Sequence, residues 1–116
     1  MLRTLIVAIL AIAAASCGGD STSPSSTSGT TISIVSGASA LTATANSPNP
    51  VTIARGSTVT WVNNDSTTHD QTADGGSFNT GNIAPGARAS VTFQNAGSFP
   101  YHCSIHPNMI GTITVQ

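Results

Sequence analysis

The sequence predicts an all-β protein, a Greek-key β-sandwich of about seven to eight short strands. The chain has 116 residues, which is the size of a single domain. It contains no lysine and no glutamate, two residues that long solvated helices normally use. Thr, Val, Ile, Ser and Gly dominate instead, and short β-prone stretches alternate with turns that contain Gly, Asn and Pro. This pattern is typical of a sandwich of two packed sheets.

The N-terminus has the features of an export signal. Residues 1–16 are expected to be a signal peptide of the lipoprotein type, with Arg3 before an apolar run at 5–15 that is too short to span a bilayer. The sequence Ala-Ala-Ser-Cys at 14–17 predicts lipidation of Cys17 and anchoring to a membrane of the bacterial cell envelope. The alternative is ordinary cleavage that releases a soluble periplasmic protein.

Residues 17–29 are expected to hold the lipidated cysteine and a flexible Ser/Thr-rich tether, and the folded domain is expected at 30–116. A disulfide between Cys17 and Cys103 is not predicted, because Cys17 lies at the processing site.

The strands can be placed in order within the domain. Patterns of alternating or continuous β-prone residues predict strands at 31–35, 51–54, 57–63, 87–93, 98–103 and 110–115. A weaker candidate lies at 40–45, and Asn-Ser-Pro-Asn-Pro at 46–50 predicts a loop. Strands 51–54 and 57–63 are expected to form a pair around Arg55 and Gly56. Val59, Trp61 and Asn63 should share one face, with Trp61 in the core.

One loop near the C-terminus concentrates soft metal ligands. Cys103, His106 and Met109 follow one another at intervals of three residues. A thiolate and a thioether favour copper over Mg²⁺ or Ca²⁺, which take oxygen ligands. Two imidazoles, a thiolate and a weak axial methionine form the electron-transfer type of copper site, so a second histidine is required. His69 is the only histidine before His102 and is placed in a separate loop that can supply it.

Each of these residues also has a structural interpretation. A lone Cys is usually a small buried hydrophobe and a lone Met is usually core filler. Their joint occurrence at fixed spacing favours a metal site. His102 is not expected to be a ligand, because neighbouring side chains of a strand point to opposite faces and Cys103 takes the inward one.

The loop at 101–109 resembles the C-terminal ligand loop of the cupredoxins, and its Cys-x-x-His-x-x-Met spacing is most similar to the short amicyanin type. The segment 59–65, Val-Thr-Trp-Val-Asn-Asn-Asp, followed by His69, resembles the strand and loop that carry the family's first ligand. The resemblance covers residues 30–116. It implies a blue (type 1) copper centre with His69, Cys103, His106 and Met109 as ligands.

The same resemblance implies a one-electron carrier that cycles between Cu(II) and Cu(I), not an enzyme. Its expected partners are transient redox proteins such as a cytochrome, an oxidase or a dehydrogenase, and the domain is expected to be a monomer. The alternative is a copper-binding or copper-delivery protein without electron transfer, which should carry exposed Met- or His-rich tracts that this sequence lacks. The formal net charge of −1 and the absence of a basic run argue against nucleic-acid binding.

Two residues near the first histidine are expected to support the ligands through hydrogen bonds. Many cupredoxins have Asn directly after this histidine, whereas this chain has Asp70. An ionised Asp70 would favour Cu(II) and lower the reduction potential, unless Asn64 or another group compensates. Asp65, Asp70 and Asp74 could also form a small acidic surface, although a solvated loop explains them equally well.

Overall fold

The structure is a computed structural model that describes residues 29–116, and it contains two sheets of four strands each. The strands are β1 (Gly29–Ile34), β2 (Asn46–Ser47), β3 (Val51–Ile53), β4 (Thr58–Asn63), β5 (Thr72–Ala73), β6 (Arg88–Thr92), β7 (Gly97–His102) and β8 (Ile110–Val115). A 3-10 helix spans Ala38–Ala40. The predicted all-β sandwich is confirmed. The signal peptide, Cys17 and the tether up to residue 28 lie outside the described residues.

The strand order is β2-β1-β4-β6 in one sheet and β3-β8-β7-β5 in the other. Both sheets are mixed, because β1 runs parallel to β4 and β3 runs parallel to β8, while the other pairs are antiparallel. The central pair of the second sheet, β7 and β8, is joined by the loop that carries Cys103, His106 and Met109. The register of this pair therefore controls the geometry of that loop.

The core lies between the sheets and follows the expected alternation of inward side chains. Val59, Trp61 and Asn63 of β4 are completely buried, so their predicted shared face is confirmed. The ring of Trp61 stacks on Phe78 at 5.8 Å and meets the edge of Tyr101 at 5.3 Å. Fully burying a large apolar side chain stabilises the fold by roughly 1.5–3 kcal/mol. Burial of Trp61 and Tyr101 in this cluster therefore contributes to the stability of the domain.

Gly111 leaves room for this cluster on β8. It pairs with Tyr101 of β7, and a Cβ at position 111 would overlap the Cζ and Oη atoms of the tyrosine ring. The ring is held by its hydrogen bond from Trp61 Nε1 at 3.4 Å. Burial raises the pKa of Tyr101 to about 12, so the phenol stays neutral.

Three sequence-based expectations about strands were wrong. Residues 40–45 do not form a strand, because backbone groups there close a 3-10 helix and a turn, with bonds such as Ala45 N to Thr42 O at 3.2 Å. The expected loop at 46–50 begins with the short strand β2. Strands β3 and β4 lie in different sheets and do not pair, since the turn at Gly56, with φ of 86°, carries the chain from one sheet to the other.

Within residues 29–116, the structure has no helix that is long and apolar enough to cross a membrane.

Candidate metal centre

Three donor atoms from two distant parts of the chain meet at one end of the sandwich. His69 Nδ1 lies 3.8 Å from Cys103 Sγ, and His106 Nδ1 lies 3.9 Å from the same sulfur. The two Nδ1 atoms are 3.2 Å apart. His69 and Cys103 are completely buried, whereas His106 is partly exposed. One atom each from these three residues thus forms a compact group that could hold a metal ion.

The loop after β7 is folded tightly around Cys103. The Cys103 backbone N–H donates to the carbonyl of Met109 at 3.1 Å, and the Met109 N–H donates to the carbonyl of His106 at 2.9 Å. These bonds bring the two ends of the loop together and place Met109 in the core, where it is completely buried. The intervals of three residues between Cys103, His106 and Met109 therefore match a short loop that is closed by backbone hydrogen bonds.

His69 is positioned from the other side by an isolated bridge and by a buried asparagine. Its backbone N–H donates to Ile83 O at 3.2 Å, and the Ile83 N–H donates back to His69 O at 2.6 Å. Asn63, at the end of β4, donates from Nδ2 to the carbonyls of Thr67 and Ile83, both at 2.8 Å. Its Oδ1 accepts the Asp65 N–H at 2.9 Å. One side chain therefore fixes the loop before His69 and the segment beside it.

The other nitrogen of His69 is held by a carboxylate. His69 Nε2 lies 2.8 Å from Asp65 Oδ2, while Asp65 Oδ1 accepts the N–H groups of Gly37 at 3.0 Å and Ser66 at 2.8 Å. The bond from His69, followed by that from Gly37, lowers the pKa of Asp65 to about 2. Because an ionised carboxylate can only accept, Nε2 carries the proton and Nδ1 is left with its lone pair toward Cys103.

Asp70 connects the two ligand-bearing segments. Its backbone N–H points at Cys103 Sγ, 3.4 Å away, and its Oδ1 accepts the Ser104 N–H at 2.7 Å. Its Oδ2 accepts the Ser104 hydroxyl. The Asp70 carboxylate therefore bonds the segment of His69 to the ligand loop by accepting both Ser104 donors.

The structure does not bring the remaining residues considered from the sequence into the donor group. Asn64 faces away, and its Nδ2 donates to Ser33 Oγ at 2.7 Å. His102 also points outward and pairs with Asp74 at 2.6 Å. Of the three aspartates considered either as an acidic surface or as a solvated loop, Asp65 and Asp70 are buried, so neither alternative describes them. The supporting role of Asp65 had no sequence signal beyond its position four residues before His69.

The donor set fits copper. A thiolate and two imidazole nitrogens are ligands that copper accepts readily, and an axial methionine completes the electron-transfer type of site. Zinc would prefer a fourth hard or thiolate ligand to a thioether. The buried Met109 on the same loop is therefore a suitable fourth ligand for copper and a poor one for zinc.

The sandwich and its donor group define a small metal-binding β-domain built on two imidazoles and one thiolate. This chain belongs to the Cupredoxin-like domain family, whose model matches residues 4–115. The family predicted from the sequence is thereby confirmed.

Individual relatives agree with this assignment. A plastocyanin of Scenedesmus fuscus is 39% identical over 82 residues, which cover 60% of this chain and 84% of the relative. The structure of a novel purple cupredoxin from Nitrosopumilus maritimus matches with a TM-score of 0.69 and 33% identity, covering 75% of this chain and 99% of that one. A Cu(I) form of an amicyanin mutant matches in fold, with a TM-score of 0.61 and 24% identity over 76% of this chain and 82% of its own.

Proposed function

We propose that this protein is a type 1 copper protein that carries single electrons between redox partners outside the cytoplasm. The observation that carries the proposal is the group formed by His69 Nδ1, His106 Nδ1 and Cys103 Sγ, which all lie within 4.8 Å of one another. Membership of the cupredoxin family and the similarity to a plastocyanin support it. Met109 is proposed as the axial ligand. When bound, copper supplies the one-electron couple between Cu(II) and Cu(I).

The residues of the chain supply a fixed, dry frame for that couple. Cys103 would hold the metal as its thiolate. Asp65 keeps the His69 proton on Nε2, and Asp70 locks the segment of His69 to that of Cys103. We expect a frame held by these internal bonds to rearrange little on electron transfer, and little rearrangement means a low barrier. No residue is proposed to act as a catalyst.

His106 is the proposed exit for the electron. It is the one histidine of the group that reaches the surface, and Ile105 and Pro107 beside it are exposed. Ile105 and Ile110 are each 46% exposed and are the large exposed hydrophobic side chains of the described part of the chain. A small apolar contact of this kind suits brief docking of a redox partner such as a cytochrome, an oxidase or a dehydrogenase.

The proposal is tested by the visible and EPR spectra of the Cu(II)-loaded protein. We expect an intense thiolate-to-copper band and narrow copper hyperfine splitting, both abolished in Cys103→Ser because the serine oxygen cannot replace the thiolate. His102→Asn is the matched control, since His102 points away from the donor group and the band should persist. A pale spectrum that is indifferent to Cys103→Ser would contradict electron transfer and indicate ordinary copper binding.

Docking at the exit should depend little on salt. The exposed charged side chains of residues 29–116 are Arg55, Arg88 and Asp74, and none of them lies in the loop around His106. We expect the electron self-exchange rate, measured by NMR line broadening, to change less than about twofold between 0.01 and 0.15 M salt, while the Debye length falls from about 30 to 8 Å. Ile105→Lys should create a clear salt dependence. A strong salt dependence of the rate in the unmodified protein would show that docking occurs at another surface.

We further propose that the mature protein is a monomer anchored in the bacterial cell envelope by lipid on Cys17. The proposal is supported by the apolar run at 5–15 and by the Ala-Ala-Ser-Cys sequence before the tether. Mass spectrometry of the protein from a membrane fraction should show an N-terminal Cys17 that carries acyl chains. An unmodified N-terminus near residue 16 would instead indicate ordinary cleavage.

A further inference from the structure

One short backbone segment, residues 37–42, is bonded to both of the loops that carry the candidate ligands. On one side, the Gly37 N–H donates to Asp65, and the other oxygen of Asp65 accepts a hydrogen bond from His69 Nε2. On the other side, Asn108 donates from Nδ2 to Leu41 O at 2.8 Å and to Ser39 O at 3.2 Å. The two halves of the donor group therefore share a common support.

The chemistry of the support explains why an asparagine fits at position 108. The 3-10 helix uses the carbonyls of Gly37 and Ala38 for its own bonds, at 3.0 and 2.9 Å, and this leaves the carbonyls of Ser39 and Leu41 to the surroundings. The amide group of Asn108 has two hydrogens on one nitrogen and meets both carbonyls. A hydroxyl or an apolar side chain could not satisfy both acceptors.

The bonds to this segment lie on either side of Met109. Asn108 is anchored through its side chain, and the backbone N–H of Ile110 donates to Thr42 O at 3.4 Å. Met109 itself is tied to His106 and Cys103 through its own backbone. The main chain of Met109 is therefore fixed from both sides, and relative to the same segment that fixes Asp65.

We propose that Asn108 is a positioning residue that clasps the ligand loop to residues 37–42 and sets the place of Met109 relative to the two histidines and Cys103. The clasp consists of neutral hydrogen bonds within the chain, so it exists before metal binds. Its effect on the metal rests on the proposed copper function: because the axial ligand tunes the potential, a loosened Met109 alters the potential and the EPR spectrum.

The first test uses amide hydrogen exchange in the metal-free protein. Asn108→Leu keeps a side chain of similar size without donors, Asn108→Gln keeps the amide, and Asn95→Leu is a control in the exposed turn before β7, at the end remote from Cys103. We expect exchange of the Met109 and Ile110 amides to become roughly three- to tenfold faster in Asn108→Leu, the equivalent of a lost hydrogen bond. Exchange of the Gly37 amide should rise with them, because the segment is shared. Asn95→Leu should leave all three rates unchanged.

A second measurement needs no variant. In the unmodified protein, the side-chain amide hydrogens of Asn108 should exchange more slowly than those of Asn95. The copper-loaded forms are then compared, and the EPR spectrum and potential should change in Asn108→Leu and be at least partly restored in Asn108→Gln.

The outcomes separate this proposal from the proposed function. The clasp would be overturned if the Met109 and Ile110 amides exchanged at unchanged rates in Asn108→Leu, or if the Asn108 and Asn95 side chains exchanged equally fast. Either result would count against it regardless of the copper spectrum. A clasp that responds as expected in a protein without the thiolate-to-copper band would stand while the copper function failed. If hydrogen exchange changed in Asn108→Leu while the EPR spectrum and the potential did not, Asn108 would not set the place of Met109, and the positioning role would be overturned.

Discussion

Replacing Asp65 by asparagine is expected to weaken copper affinity by roughly 10–100-fold and to raise the reduction potential. An asparagine oxygen can still accept the N–H groups of Gly37 and Ser66, but its NH₂ group then faces the Nε2–H of His69. The imidazole escapes this clash by moving its proton to Nδ1, which is the nitrogen aimed at the metal position. Loss of a negative charge also destabilises the oxidised, more positive form of the site.

The measurement for this variant is a copper titration combined with voltammetry. We expect the potential to rise by on the order of 60 mV or more, equivalent to at least a tenfold change in a one-electron equilibrium. Asp74→Asn removes the same charge from an exposed carboxylate that touches His102 and no candidate ligand, so it is the matched control. An equal shift in both variants would show that charge alone acts, and that the bond to His69 does not matter.

The same carboxylate should make the metal-free protein sensitive to acid. The pKa of Asp65 in the folded state is about 2, below the ordinary value of 3.8. A group with a depressed folded-state pKa contributes stability that is complete above the unfolded pKa and is lost as the pH falls toward the folded one. The free energy of unfolding should therefore drop between about pH 4 and pH 2 more steeply than in Asp65→Asn. Urea unfolding at several pH values measures this free energy for both proteins. If it fell equally with pH in both, the Asp65 carboxylate would not contribute to the acid sensitivity.

The sequence was sufficient to predict what depends on local pattern. The three-residue spacing of Cys103, His106 and Met109 predicted one loop that carries three ligands, and alternation along 57–63 predicted the buried face of β4. The sandwich followed from strand patterns and composition, and the family from the resemblance of the segments 59–65 and 101–109 to cupredoxins; both were confirmed.

What the sequence could not provide depends on contacts between distant residues. Nothing near Asp65 in the chain indicates that it would be buried, because its partner Gly37 lies 28 residues away and is brought close only by the pairing of β1 with β4. Likewise, the turn at Arg55 and Gly56 has the same local chemistry whether it makes a hairpin or crosses between sheets. The outcome depends on strand pairing: β3 pairs with β8, whereas β4 pairs with β1 and β6, and these partners lie in different sheets.

Asp70 offers the second large effect, because its charge and its hydrogen bonds can be removed separately. In Asp70→Asn the side-chain oxygen can accept the Ser104 N–H, and the amide can donate to the Ser104 hydroxyl. The geometry should persist without the charge, so we expect the visible spectrum to be retained and the potential to rise by on the order of 60 mV. An unchanged potential would mean that the carboxylate does not favour Cu(II).

Asp70→Ala removes the bonds as well as the charge. The Ser104 N–H then loses its partner, and the segment of His69 is no longer tied to the ligand loop through this side chain. Ser104 is exposed, so water can reach its N–H, and we expect the metal-free protein to lose about 0.5–1.5 kcal/mol of stability for the lost hydrogen bonds. The backbone N–H of Asp70 still faces Cys103 Sγ in both variants, so that contact cannot account for a difference between them. Equal stability of Asp70→Ala and Asp70→Asn in denaturant titrations would show that the link to Ser104 is not what holds the two segments together.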